Sequence, residues 1–252
     1  MNVTPGLSVV VTGGVGDIGR AIARELLGHG ARVTLLDRLT PEDAADAIRD
    51  LEVGGAVTYA QVDVRDADAV SAALARIDPL DVVIGNAAIV ESTRFLDITP
   101  EQWQEHLDVN LTGCFNTGQA AARLMIERGR PGRIIFTSSW VQDVPWPEIG
   151  AYAVSKAGLK MLMRAMAAEL ASEQILVNAV APGIVAAGMA RHQLETEPQF
   201  AARAERAIPL GRLQTAEEVA RAVAVLCSDA ATYMTGSVLL VDGGCSLQVG
   251  GS

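Results

Sequence analysis

Tyr152 and Lys156 stand four positions apart in the stretch Tyr152-Ala153-Val154-Ser155-Lys156. On a helix that spacing puts a phenol and an ammonium on one face, one turn apart. The pairing is selective here, because the chain has three tyrosines and only two lysines, Lys156 and Lys160, its other basic residues being arginine. A free phenol titrates near 10, and a cation within about 4–6 Å favours its ionised form. A phenol so assisted can take a proton from an alcohol or return one to a carbonyl oxygen near neutral pH. The same ammonium can hold a hydroxylated ligand in register with the phenol. The competing reading is a surface lysine beside a half-buried tyrosine.

A second stretch suggests anion binding. Thr12-Gly13-Gly14-Val15-Gly16-Asp17-Ile18-Gly19 follows an apolar run and opens an amphipathic one. Gly14, Gly16 and Gly19 satisfy G-x-G-x-x-G, which lets backbone turn tightly and approach a pyrophosphate held on helix-start amides. An ordinary glycine-rich turn would read the same in isolation. The next apolar run ends in Leu35-Leu36-Asp37. A carboxylate there can accept the adenosine ribose hydroxyls and repels a 2′-phosphate, so the expected cofactor is NAD, with NADP disfavoured. Arg38 is either a cofactor contact or a solvated loop cation.

A regular framework has to carry these residues. Leu7–Thr12, Arg32–Leu36, Val57–Val62, Leu80–Ile84, Gly132–Ser138, Ile175–Val180 and Ser237–Val241 read as buried strands. Between them, Asp17–Leu27, Pro41–Leu51, Asp66–Ile77, Pro100–Arg128, Tyr152–Ala171 and Ala216–Cys227 read as helices, the Pro100–Arg128 one with an irregular start. Continuous Val/Ile/Leu strands that alternate with helices predict an α/β fold: a single Rossmann-like, doubly wound parallel sheet of about seven strands covered on both faces. The whole chain, residues 1–252, reads as one dinucleotide-binding and catalytic domain. Residues 186–212 interrupt the rhythm and read as a substrate-covering lid.

Composition narrows the partners. A net charge of −10 with no basic run argues against nucleic acid. Three well-separated cysteines, Cys114, Cys227 and Cys245, suit a reduced intracellular protein. Neither a signal peptide nor a membrane span is read, so a cytoplasmic protein is expected. His29, His106 and His192 lack ligand spacing, and no metal is expected. Trp103 reads as core, and Glu101, Glu105 and Asp108 as a solvated face.

The pattern resembles the short-chain dehydrogenase/reductase family, whose glycine motif is T-G-x-x-x-G-x-G. Thr12, Gly13 and Gly19 match it, while Asp17 replaces its middle glycine, where a carboxylate can either cap the helix amides or crowd the pyrophosphate. The resemblance places Gly13, Gly16, Asp17, Ile18 and Gly19 against the cofactor. It adds Asp63-Val64 as an adenine-contacting pair and Asn86-Ala87-Ala88 in place of N-A-G. Pro182-Gly183-Ile184-Val185 resembles the segment that holds the nicotinamide amide, with Ala187 where a hydroxyl residue often stands. Val241-Asp242-Gly243-Gly244 resembles the C-terminal signature. By the same resemblance Tyr152 is the acid/base and Lys156 assists it and holds the ribose. Ser139, at 152 − 139 = 13 residues before the tyrosine, polarises the reacting oxygen, and Asn110 orders a relay water. Ser138 competes with Ser139 for the site, since a strand alternates faces. A homotetramer built partly through the Tyr152 helix is also implied.

The loop Trp140–Glu148 holds two of the three tryptophans. With Gln142, Asp143 and Glu148 nearby, their faces suit a polyhydroxylated ligand, so Ser139, Trp140, Gln142, Trp146 and Tyr152 are the expected substrate residues. Packing of Trp140 and Trp146 onto the lid is the alternative. Pro145-Trp146-Pro147 is similar to the matching segment of bacterial glucose dehydrogenases. The expected activity is hydride transfer between NAD and a secondary alcohol or ketone, a sugar or polyol favoured. A 3-oxoacyl-(acyl-carrier-protein)-type ketoreductase is the second enzyme reading, and a non-catalytic nucleotide-binding scaffold or sensor is a third possibility.

Overall fold

The computed structural model describes residues 3–52, 56–188, 191, 204 and 206–247. Seven parallel strands form one sheet: β1 (Ser8–Thr12), β2 (Arg32–Asp37), β3 (Val57–Gln61), β4 (Val82–Gly85), β5 (Gly132–Thr137), β6 (Ile175–Pro182) and β7 (Val238–Val241). Their spatial order is β3-β2-β1-β4-β5-β6-β7. The chain builds outward from β1 in one direction, then returns to its other side. Val9 therefore pairs with Val33 on one flank and Val82 on the other. A crevice opens beyond the carboxyl ends of β1 and β4, the switch point where ligands bind in such sheets.

The sheet is apolar on both faces because both are covered. Val9, Val11, Leu35 and Ile135 pack under α1 (Asp17–Gly28) and a C-terminal helix, Ala216–Cys227. Their alternates Val10, Leu36, Ile134 and Phe136 pack on the other side under α3 (Ala67–Ala75) and two longer helices, Gly113–Glu127 and Gly150–Leu170. Strand alternation thus supplies two cores. α2 (Pro41–Glu52) completes the first βαβ units.

The Pro100–Arg128 periodicity resolves into three pieces, and the irregularity lies in its middle. α4 (Pro100–Leu107) starts with a Thr99–Gln102 capping box, a π turn spans Asp108–Thr112, and α5 (Gly113–Glu127) continues. The extra residue of a π turn rotates the next helical stretch without changing composition. α6 (Gly150–Leu170) starts before Tyr152, and Ala216–Cys227 becomes α7. Most of the expected 186–212 lid lies outside the described residues. The residues that flank it, Val185 and Gln214, are joined by a parallel bridge. Among the described residues no helix is long and apolar enough to cross a membrane.

Candidate active site

The crevice is a cavity of ≈ 520 Å³ whose wall is built from strand ends. At the end of β1, the Thr12 hydroxyl accepts from the backbone N–H groups of Asn86 (3.0 Å) and Ala87 (3.1 Å). Asn86 returns the contact, its Nδ2 donating to the carbonyls of Thr12 (3.1 Å) and Gly13 (3.2 Å). The turns after β1 and β4 are thereby tied into one unit. Gly13 has φ +62°, and a Cβ there would lie 2.8 Å from Ala87 Cα. A side chain at Gly19 would run into the Gly13 carbonyl. Both glycines are required by close backbone approach. Gly14 serves packing instead, since a Cβ there would meet Leu35 Cβ at 2.7 Å.

Asp37, at the end of β2, accepts from the Val15 N–H at 3.4 Å and the Leu39 N–H at 3.3 Å, and lines the cavity. The residue that caps α1 is Gly16, so capping by Asp17 does not occur. Asp17 is the first helical residue, and its carboxylate accepts from Arg20 Nη2 and from the Gly188 N–H, each at 2.8 Å. Arg191 Nη2 stands 3.5 Å from it. Burial works to raise the Asp17 carboxyl, but Gly188, Arg20 and Arg191 together hold it below the ordinary carboxylate range.

At the other end, α6 sets Tyr152 and Lys156 on one face, with the ammonium 5.5 Å from the phenol ring centroid. Lys156 is only 1% exposed, and its Nζ donates to the Thr137 carbonyl at 2.8 Å. Strand β5 thus holds the lysine that α6 carries. Burial pushes the neighbouring Cys114 thiol up to about 11 against the pull of the Lys156 charge. Ser139 and Ser138 both line the cavity, but the Ser138 hydroxyl donates to Gln142 Oε1 at 2.7 Å. Ser139 Oγ accepts only a long 3.5 Å bond from Val141 N–H, so its hydrogen is uncommitted among the described residues.

Most of the expected residues converge on this cavity. Gly13, Gly16, Asp17, Ile18, Gly19, Asp37, Asn86, Ala87, Ala88, Pro182, Gly183 and Val185 line it together with Ser139, Trp140, Trp146, Tyr152 and Lys156. Five do not. Arg38 is exposed, and its carbonyl accepts from Gln61. Asp63 is ion-paired with Arg65, whose hydrogen-bonded guanidinium holds the carboxyl below its usual range. Val64 is buried against Gly113, and its carbonyl accepts from Asn116 at 2.9 Å. Gln142 is buried, and its Oε1 accepts from the Ser138 hydroxyl.

Asn110, the fifth, is fully buried in the π turn. Its Oδ1 accepts from Ile89 N–H at 2.8 Å, while its Nδ2 donates to Ile89 O at 2.9 Å and Ser155 Oγ at 3.1 Å. These bonds hold the cavity residue Ile89 and engage both ends of the Asn110 side-chain amide.

The tryptophan end of the cavity is apolar. Trp140 and Trp146 meet edge to face with centroids 5.3 Å apart, and Val141, Ile149, Val90 and Ile184 complete the wall. Sequence reasoning missed the aliphatic members, because nothing in composition separates them from core. Asp143 is ion-paired with Lys160, and neither it nor Glu148 lines the cavity. Trp103 is 36% exposed rather than core. His106 is a satisfied buried histidine, accepting from Glu91 N–H at 3.2 Å, and His192 lies outside the described residues. The three cysteines are buried and unbonded. Among the described residues no cluster of three or more His, Cys, Asp or Glu could hold a metal.

A family model described as enoyl-(acyl carrier protein) reductase matches residues 14–246. The chain is 38% identical over 250 residues to 3beta-hydroxysteroid dehydrogenase 1 of Eggerthella lenta, covering 97% of this chain and 95% of the relative. A short-chain type dehydrogenase/reductase from Mycobacterium marinum superposes with TM-score 0.88 at 34% identity, covering 98% of each chain. A putative 2-deoxy-D-gluconate 3-dehydrogenase from Agrobacterium tumefaciens with bound NADP superposes with TM-score 0.88 at 30% identity, covering 97% of this chain and 98% of that one.

Proposed function

The chain belongs to the short-chain dehydrogenase/reductase family, and on that premise we propose an NAD-linked enzyme that interconverts a secondary alcohol and its ketone, the substrate being an apolar, ring-bearing one. The observation that carries the reading is a single cavity with Asp37 at one end and Tyr152, Lys156 and Ser139 at the other. A nicotinamide dinucleotide fits this donor set. Gly13 and Gly19 leave a cradle that a Cβ would fill, and the amides opening α1 suit a pyrophosphate. The Asp37 carboxylate suits ribose hydroxyls and opposes a 2′-phosphate. When bound, the nicotinamide supplies the acceptor, or in reverse the donor, for the hydrogen on the carbinol carbon.

Every other part of the chemistry falls to the chain. Tyr152 Oη takes the proton of the substrate hydroxyl and, in the reduction direction, returns it to the ketone oxygen. The buried Lys156 ammonium, held by the Thr137 carbonyl, stabilises negative charge on that oxygen. Ser139 directs its uncommitted hydroxyl hydrogen at the reacting oxygen and stabilises charge developing there. The tryptophan pair and its aliphatic neighbours exclude water. Residues 186–212, as a cover over this end, belong to the same reading, as does a homotetramer. Val154 and Met161 lie 48% and 64% exposed on the helix that carries Tyr152.

The polar residues expected to favour a sugar do not reach the wall, which moves the preference to an apolar ring. A polyol remains the second reading, supported by the sugar-acid name of the Agrobacterium structure. The test is a panel of alicyclic alcohols, aldoses, polyols and 3-oxoacyl thioesters, followed at 340 nm with both dinucleotides. Each buried CH₂ contributes about 0.8 kcal/mol. An alicyclic alcohol that buries about three or four more CH₂ groups than a polyol should therefore exceed it in kcat/KM by roughly 100-fold. Polyols turning over best would reverse the preference, and no turnover of any alcohol or ketone would favour the scaffold reading.

A further inference from the structure

Asp17 occupies a glycine position of the family motif, on the cavity wall at the first turn of α1. An unbalanced carboxylate there would oppose a pyrophosphate, but this one is not unbalanced. One oxygen takes Arg20 Nη2, and the other takes the Gly188 N–H and lies 3.5 Å from Arg191 Nη2. One negative charge thus gathers two positive ones, leaving the group net positive. The carboxylate also joins two segments far apart in sequence: the glycine turn after β1 and the Ala186–Gly188 segment after β6. Those segments flank the cavity, and the second is already anchored by the Ala186 N–H donating to the Gln214 carbonyl at 2.8 Å. Arg191 closes the arrangement, its Nε and Nη2 donating to the Ala186 carbonyl at 3.3 and 3.2 Å.

We propose that Asp17 is a positioning residue for the dinucleotide: it straps the Ala186–Gly188 segment to the glycine turn and holds Arg20 and Arg191 at the pyrophosphate end, so that the bound dinucleotide leaves more slowly. The proposal rests on the reading of the cavity as a dinucleotide site. It assigns a glycine-to-aspartate departure a gain in retention where charge alone would give a loss. A charge-assisted bond is roughly twice as strong as a neutral one, so removing the carboxylate should be visible in binding.

The experiment compares wild type with Asp17→Gly and Asp17→Asn by two readouts. The first is hydrogen–deuterium exchange over residues 183–191 without any dinucleotide. The second is NAD affinity from tryptophan fluorescence together with kcat and KM. Asp17→Gly should speed exchange at Gly188, raise the NAD Kd about tenfold and raise KM with kcat unchanged or higher. Asp17→Asn keeps an acceptor for the Gly188 N–H but loses the charge, so it should fall between the two. Exchange at Gly188 equal in all three proteins would overturn the strap. Faster exchange with equal or tighter NAD binding in Asp17→Gly would overturn the positioning role and leave a mere repulsive neighbour. A wild type that binds neither NAD nor NADP would sink the dinucleotide reading itself, a failure distinct from either of these.

Discussion

Replacing Tyr152 by phenylalanine deletes a single oxygen and keeps the ring beside the Lys156 ammonium. The expected result is a fall in kcat/KM of about 10²–10⁴, the usual worth of a positioned acid/base group. NAD affinity should stay within about twofold and the melting temperature within about 2 °C. Steady-state kinetics with a thermal melt checks all three, and retention of most activity would remove Tyr152 from the chemistry. The spacing to Lys156 was legible because one helical turn fixes it. What Lys156 rests on was not, since the Thr137 carbonyl arrives from a different element. The expected residues that lie off the cavity lining share one feature. Gln142, Asp63 and Asn110 each have the right type near the right motif, yet each has a polar atom engaged by a neighbour, Ser138, Arg65 and Ile89 respectively. Sequence shows which groups can form hydrogen bonds, whereas the partner each finds is decided by tertiary packing.

At the scale of elements, α7 shows how local chemistry fixes a helix start. Thr215 accepts from the Glu218 N–H while the Glu218 carboxylate accepts from the Thr215 N–H, and Arg212 pairs with that same carboxylate. The Arg212 hydrogen bond, helped by the Thr215 N–H, brings the Glu218 carboxyl down to about 2. A lowered native value stabilises the fold above the ordinary carboxyl range near 4.5, and that stability is lost as pH falls towards about 2. Glu218→Gln keeps the capping geometry without the charge. It should melt below wild type at pH 6, and the gap should narrow at pH 3. Because Arg212 is exposed and Glu218 only partly buried, the gap is small and salt should reduce it. A gap that widens at low pH would contradict the assignment. The strands were readable as uninterrupted apolar runs because both faces of the sheet are covered. The π turn was not, because a one-residue slip in hydrogen bonding leaves the apolar pattern nearly intact.

For the whole molecule, the decisive fact is the sheet order. Winding in both directions from β1 puts the ends of β1 and β4 side by side, and β5 and α6 deliver Ser139, Tyr152 and Lys156 to the same opening. This arrangement could be anticipated from alternation and the right-handed crossover rule, which is why widely separated motifs could be assigned to one site. The character of the cavity wall at the tryptophan end could not be anticipated. It depends on which residues of the Trp140–Glu148 loop turn inward, and the acidic ones do not line the cavity. Asp37 at one end and the phenol at the other make cofactor choice the sharpest consequence of the whole arrangement. Its most direct test is the titration of tryptophan fluorescence with NAD and with NADP, on wild type and Asp37→Ala. Wild type is expected to bind NAD at least about tenfold more tightly, as one or more charge-assisted hydrogen bonds would give, and Asp37→Ala should lose most of that preference. Equal or tighter binding of NADP by wild type would contradict the account.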